Sequence, residues 1–318
     1  MRGLESRHES PAYPILMQLL LKALTRIPMP LLHAGAWVIY FVAFRVVRWR
    51  RARAEHDLAN AFPEKIAAER ARILKRAYRN LADGMMEAFW GYGASAQALK
   101  RRVAIENPEV VTHFWKEGRS VVLLAAHYGN WEWLLLTAGA QFGFPIDAVY
   151  QPLRVPTVDA FVREARSRFG GKPIPHKEFI YTLMSRASQT RAYALIADQT
   201  PRQEDPKHWT RFLNQDTAFF KGAGRIAQFL DAPVLFVSMH RVRRGYYTAR
   251  LSVLAEPPYD ERADTLIVER YARALEEAIR EHPAEWLWVQ KKWKYTKQSA
   301  AQTRPKEKHA ATAEFSDT

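Results

Sequence analysis

The chain contains no cysteine. That removes disulfide scaffolds, thiolate zinc sites and cysteine nucleophiles in one step. Also missing are a His-Glu-x-x-His zinc helix, a Gly-x-Ser-x-Gly nucleophile elbow and a complete phosphate loop, which sets aside three large enzyme classes. Acids are scarce relative to bases: 33 Asp and Glu face 48 Lys and Arg, for a net charge of +15. A surplus of that size favours a polyanionic partner, whether nucleic acid, an anionic membrane face or a phosphorylated substrate, and composition does not choose among them. What is present is a globular balance, with 48% hydrophobic and 25% charged residues over 318 positions. That is enough for one large domain or two small ones with a sizeable core, and it excludes disordered and fibrous classes.

Residues 1–10 are polar and mixed in charge, and no small-residue cleavage site follows an apolar core, so a cleaved secretory signal is not expected. Two apolar stretches follow, Ala12 to Leu24 and Pro28 to Phe44, the second interrupted only by His33. At 1.5 Å per residue the second reaches roughly 26 Å, short of the ~30 Å hydrocarbon thickness, so it spans with local thinning or lies in the interface. Arg45, Arg48, Arg50, Arg51 and Arg53 come next with Trp49 among them. That grouping suits an anionic headgroup layer, and the alternative is an amphipathic helix on the domain beside a solvated basic face. Residues 1–55 are therefore read as a membrane-associating segment.

Pro63 to Trp90 has helical periodicity. β-rich runs then appear at Ser120–Ala126, Ile146–Tyr150, Tyr193–Ala197, Pro233–Met239 and Tyr246–Leu254. Helical stretches lie between and after them at Asn130–Phe142, Pro156–Phe169, Lys177–Gln189, Gly222–Leu230 and Asp260–His282. The alternation predicts an α/β fold over 56–298: a mixed, largely parallel sheet flanked by helices, with the last two runs as an antiparallel edge hairpin. Residues 299–318 read as a disordered tail.

The chemistry concentrates in Ser120 to Phe142. An apolar strand runs into His127, Gly129 supplies a tight turn, Asn130 is a good helix N-cap and Glu132 falls in the first helical turn. Ligands of open α/β sheets bind at the carboxyl ends of strands, where this turn sits. A carboxylate beside an imidazole fixes its tautomer and raises its basicity, which equips His127 as a general base. A His followed five positions later by an acid is common by chance, and His309 and Glu314 repeat it in the tail. Only the strand–turn–helix setting singles out His127, and a histidine capping a turn fits that setting too.

The run His127-Tyr128-Gly129-Asn130-Trp131-Glu132 resembles the active-site motif of the bacterial lipid A biosynthesis acyltransferases, the late lauroyl and myristoyl transferases of the wider glycerolipid acyltransferase superfamily. Supporting pieces occur in the family's order: Arg166-Ser167-Arg168-Phe169-Gly170, Ala197-Asp198-Gln199, Phe219-Phe220-Lys221-Gly222 and Trp286 to Trp293. The chain departs at Gln151, where the family tends to have a basic residue before the proline, and at Gln290-Lys291-Lys292, where it has His-Arg-Arg. Both departures fall at positions expected to touch anionic substrate.

The resemblance implies acyl transfer from a thioester, acyl carrier protein or coenzyme A, to a hydroxyl of a lipid A precursor or related glycolipid. His127 and Glu132 are the implied catalytic pair. It implies the cytoplasmic face of the inner membrane, single-pass or monotopic, with no metal or redox cofactor and no nucleic acid. Turn N–H groups around Gly129 and Asn130 are candidate oxyanion donors. Arg166 and Arg168 either bind donor or acceptor phosphate or form a solvated helix face. Asp198, with Gln199, either lines the site or caps a turn. Lys221 and Gly222, at a helix start, are a substrate contact or plain surface. Gly222-Ala223-Gly224-Arg225-Ile226-Ala227 matches a dinucleotide fingerprint formally, but no β-branched strand is read before it and no acid lies ~20 residues on, so helix packing is the better reading. Trp286, Trp288 and Trp293 suit a membrane interface, a covered groove or core closure equally. An acyltransferase for another membrane lipid is the alternative, and a basic nucleic-acid-binding protein ranks below it.

Overall fold

A computed structural model of the chain describes residues 12–295 and residue 297; the expected tail at 299–318 lies outside the described residues. The N-terminal part is helical: α1 (Ala12–Leu24), α2 (Met29–Phe41) continuing as a π-helical turn (Val42–Val46), α3 (Arg51–Ala61), α4 (Ala67–Gly93) and α5 (Ala96–Lys100). Strands and helices then alternate through β1 (Val103–Ile105), α6 (Glu109–Lys116), β2 (Val121–Ala125), α7 (Trp131–Phe142), β3 (Ile146–Tyr150) and α8 (Pro156–Arg166). They continue through β4 (Gly171–Pro175), α9 (Phe179–Arg186), β5 (Ala192–Ile196), β6 (Lys207–Phe212), β7 (Gln215–Phe220) and α10 (Gly222–Leu230). β8 (Val234–Arg243), β9 (Tyr246–Ala255) and α11 (Ala263–Glu281) complete the domain.

Seven strands form one sheet in the order β1-β9-β8-β2-β5-β3-β4, and β6 and β7 form a separate hairpin. Every pairing in the large sheet is parallel except β8 with β9, so the expected mixed, largely parallel sheet is present. One expectation needs correcting. The β8–β9 hairpin is not at the edge, because the three-residue β1 pairs in parallel with β9. β1, β4, β6 and β7 escaped the sequence reading. β4 carries two prolines in five residues, and β6 reads Lys-His-Trp-Thr-Arg-Phe with little alternation.

β2 shows why the sheet forms. All five of its residues are buried. Val122 and Leu124 join a core with α10, α11 and α3, whereas Val121 and Leu123 join one with α6 and α7. A strand buried on both faces is written as a continuous apolar run, because helices cover both sides of a parallel sheet.

α2 and its π-helical continuation belong to the same core through Ala36, Tyr40 and Phe44. These recur at helical spacing on the side that faces α4, while Leu31, Val38 and Phe41 are exposed. α1 likewise exposes Ile15, Leu16, Leu19 and Leu20. The basic cluster after α2 divides. Arg45 and Arg48 are exposed, but Arg50 and Arg53 donate to the carbonyls of Val289 and Trp293 and Arg51 pairs with Glu55.

A strand, β7, does precede the Gly222 run, contrary to the sequence reading, but it belongs to the antiparallel hairpin and not to the parallel sheet. The close approach is at Gly224, where a Cβ would sit 2.3 Å from Asp264 Cα of α11. Gly224→Ala is therefore expected to push α10 off α11 and cost about 1–3 kcal/mol, read as a lowered urea midpoint with an unchanged m-value.

Candidate active site

β2 lies in the middle of the sheet with β5 beside it in parallel, and Ala125 is paired in register with Ile196. His127 and Asp198 each follow two residues after those partners. The register thus delivers an imidazole and a carboxylate to the same carboxyl edge from positions 71 apart in sequence. His127 Nδ1 donates to Asp198 Oδ1 at 2.8 Å. The other carboxylate oxygen, Oδ2, accepts from Trp286 Nε1 at 2.9 Å and from Gln290 Nε2 at 3.0 Å.

Asp198 is fully buried. Burial alone would raise its pKa, yet the His127 charge and hydrogen bond, Gln290 and the charge of Lys292 together hold it far below the ordinary carboxylate range. For His127, burial pulls the imidazole down, but the charge and hydrogen bond of Asp198 outweigh it with help from the charge of Glu132, so its pKa lies above its ordinary value. These are the properties of a base oriented by an anion. Among the described residues, no hydrogen bond reaches Nε2 of His127, which stands beside the Trp131 ring at a centroid distance of 5.2 Å.

Glu132 does not fix the His127 tautomer as the spacing suggested. Its carboxylate is taken by Arg166, which donates Nε to Oε2 at 3.0 Å and Nη2 to Oε1 at 2.5 Å, and by the Tyr92 hydroxyl at 2.8 Å. Burial would raise Glu132, but Arg166 and Tyr92 bring it below its usual value. Arg166 of α8 is therefore neither a solvated helix face nor remote. It forms a two-point ion pair with the helix turn that follows His127, a geometry suited to guanidinium and carboxylate. Arg168 donates to the carbonyl of Tyr92.

The turn itself is stitched to a C-terminal strap, residues 283–290. Gly129 N–H donates to Glu285 O and Leu287 N–H donates to His127 O, each at 3.0 Å. The Gly129 N–H is thereby consumed and does not serve as the oxyanion donor that sequence reading allowed. Gly129 is instead required by conformation and space: its φ is +60°, and a Cβ there would lie 2.1 Å from Met239 O. Asn130 caps α7, its Oδ1 accepting from Trp133 N at 3.2 Å.

Other expected residues lie apart. Lys221 pairs with Asp264 at 2.8 Å, Gly222 opens α10, and Gln199 is exposed with its carbonyl toward Lys292. The tryptophans mostly close the core: Trp286 and Trp288 are each 2% exposed. Trp286 also holds the acid, a role that its spacing could not show. Gln290 and Lys292 turn inward, Gln290 to donate to Asp198. Lys292 is buried, with Nζ donating to Ala218 O at 3.0 Å and lying 3.7 Å from the Phe219 ring centre. Burial brings its pKa down to about 7, against the pull of Asp198.

An α/β sheet with a histidine at the carboxyl end of its central strand, oriented by a buried acid, has the parts for acid–base chemistry. The model of the bacterial lipid A biosynthesis acyltransferase family matches residues 4–295. The chain belongs to that family, and it is an O-acyltransferase by class. Among curated relatives it is similar to lipid A biosynthesis acyltransferase 2 of Shigella flexneri, 22% identical over 275 residues covering 85% of this chain and 84% of that protein. It is also similar to the lipid A biosynthesis lauroyltransferase of Escherichia coli K12, 22% identical over 276 residues covering 85% and 87%. The lipid A biosynthesis acyltransferase of Haemophilus influenzae is 23% identical over 252 residues, covering 76% and 74%.

Asp198→Asn removes the charge that lifts His127 and leaves the burial that lowers it. In an NMR titration, His127 of the wild type should lose its proton above pH 6.5, and in the variant below it.

Proposed function

We propose that the protein transfers a fatty acyl group from an acyl thioester to a hydroxyl of a lipid A precursor or related glycolipid at the cytoplasmic face of the inner membrane. The observation that carries this reading is the His127–Asp198 pair with Nε2 of the imidazole left for a substrate proton. Family membership supplies the reaction class.

Neutral His127 takes the acceptor hydroxyl proton at Nε2 as the hydroxyl oxygen forms its bond to the thioester carbonyl carbon. Asp198 steadies the imidazolium that results and keeps the ring in the tautomer with its proton on Nδ1. The tetrahedral intermediate collapses with cleavage of the C–S bond, and the imidazolium returns the proton to the departing sulfur. Donors for the oxyanion come from the free N–H groups of the first turn of α7 and from Arg166, whose Nη1 is not used by Glu132. Glu132 aims that guanidinium and adds its charge to the basicity of His127. This chemistry draws on neither metal nor redox cofactor. The donor is acyl carrier protein or coenzyme A, and the +15 surplus suits a phosphorylated glycolipid in an anionic leaflet and does not call for nucleic acid.

The manner of membrane contact follows from α2. Arg79 of α4 lies 4.5 Å from the ring centre of Trp37, in the middle of α2. Asp83 of α4 is paired with Arg241 and Arg244 close by. An upright α2 would draw these charges to bilayer depth at about 2.5–3.5 kcal/mol each. Lying in the interface with Leu31, Val38 and Phe41 toward lipid avoids that cost, so the monotopic arrangement is the better supported of the two.

His127→Ala should reduce acyl transfer by about 10²-fold or more, and cells carrying only that variant should show, by mass spectrometry, a phosphoglycolipid lacking one acyl chain. An unaltered phosphoglycolipid with a change in another lipid would reassign the acceptor and leave the chemistry in place. Separately, Leu31→Asp with Phe41→Asp should release the protein from co-sedimentation with phosphatidylglycerol vesicles while its thermal unfolding stays intact.

A further inference from the structure

Glu87 sits in the last third of the long helix α4, fully buried. No part of the chemistry above uses it, and an unpaired carboxylate at that depth would be prohibitive. Three side chains supply its partners. His33 Nε2 of α2 meets Oε1 at 2.9 Å. Asn130 Nδ2 donates to Oε2 at 3.0 Å, and the Tyr247 hydroxyl of β9 donates to the same oxygen at 2.6 Å. The backbone carbonyl of Glu87 also accepts from Trp133 Nε1 of α7 at 2.8 Å. Despite burial, the hydrogen bond of His33, the charge of Arg241 and the hydrogen bond of Tyr247 bring Glu87 below its ordinary value, so it is the anion that these donors face.

Asn130 is the informative partner. Its amide is used at both ends: the oxygen caps the Trp133 N–H and the nitrogen serves Glu87. A side-chain amide has one acceptor end and one donor end, so an anion at position 87 decides which way Asn130 faces. With the amide reversed, the helix cap is lost and two donors confront each other. Asn130 is three residues after His127 and directly follows Gly129, so the orientation set at Glu87 is transmitted to the turn that carries the base. His33 lies on the opposite side of the same carboxylate and belongs to the helix whose outer face is apolar and exposed. Arg244 ties that helix to α4 by donating to His33 O at 3.0 Å and pairing with Asp83, one turn before Glu87.

We infer that Glu87 is a positioning residue that joins the lipid-facing helix α2, through His33, to the turn bearing His127, through Asn130. The seating of α2 is then part of the construction of the site and not merely an anchor. This inference rests on the acyltransferase reading for its kinetic consequence, but not for its geometry.

The test uses the full chain in detergent micelles, with a lauroyl thioester as donor probe. Asn130→Asp keeps the cap oxygen but sets a second carboxylate against Glu87, and kcat is expected to fall by tenfold or more with KM for the donor within twofold. The reciprocal swap, Asn130→Asp with Glu87→Gln, restores a donor–acceptor pair across the same gap and should recover most of the lost kcat. On the α2 side, His33→Ala should lower kcat by about threefold to tenfold, and His33→Gln, which can donate to the same oxygen, should rescue it. A readout independent of acyl transfer is the rate at which diethyl pyrocarbonate modifies His127, followed by peptide mass spectrometry. It should change at least threefold in Asn130→Asp and in His33→Ala, and return toward the wild-type rate in both rescuing variants. Failure of either rescue, or an unchanged His127 modification rate in His33→Ala, overturns the proposal. Altered His127 reactivity with rescue, in a protein whose wild type transfers no acyl group, would overturn the acyltransferase reading and leave the positioning role standing.

Discussion

A buried carboxylate with nowhere to go is the constraint around which this structure is arranged. Asp198 lies at the end of β5 with no exposure, and burying an ion without partners costs more than any single contact in the domain returns. Its oxygens are met by a ring nitrogen of His127, an indole N–H and a carboxamide. Those partners come from the end of the neighbouring strand and from the C-terminal strap. The same requirement that keeps the acid ionised therefore fixes the imidazole, holds the strap down and orders Trp286. The burial of Asp198 and the raised basicity of His127 thus draw on one set of hydrogen bonds.

The second polar system runs along α4. Asn80 donates to the strap at Ala284 O and Glu285, Asp83 binds two arginines of the β8–β9 hairpin, and Glu87 gathers α2, α7 and β9. A helix lying between the apolar, exposed α2 and the turn that carries His127 is ordinarily expected to bury apolar side chains. This one devotes a line of polar residues at helical spacing to both neighbours. Hydrogen-bond partners specify one register where apolar packing would tolerate several, which is what a site assembled from distant segments requires.

Much of this was legible in the sequence. The central strand, the turn at Gly129, the cap at Asn130 and the position of His127 all follow from local rules, because an apolar run ending in His-x-Gly-Asn writes strand, turn and helix start into consecutive letters. The alternation of later runs likewise disclosed a mixed, mostly parallel sheet. Less legible was which acid serves the histidine. Spacing favours Glu132, five residues away, whereas the partner in space is Asp198, set by a strand register that no local pattern encodes. Short strands were missed where prolines or lysines break the alternation, as in β4 and β6. The inward turn of Gln290 and Lys292 was invisible for a related reason. A polar residue near a chain end reads as surface until something buried is seen to need it.

The strap has a consequence for timing. Trp286 and Gln290 complete the surroundings of Asp198, and residue 287 clips the backbone of His127. During synthesis the sheet and most of the helices can form long before residue 290 clears the ribosome, yet the acid has no full set of partners until then. A nascent chain whose sheet had already closed would thus hold Asp198 short of two of its three side-chain partners until the strap emerged behind it.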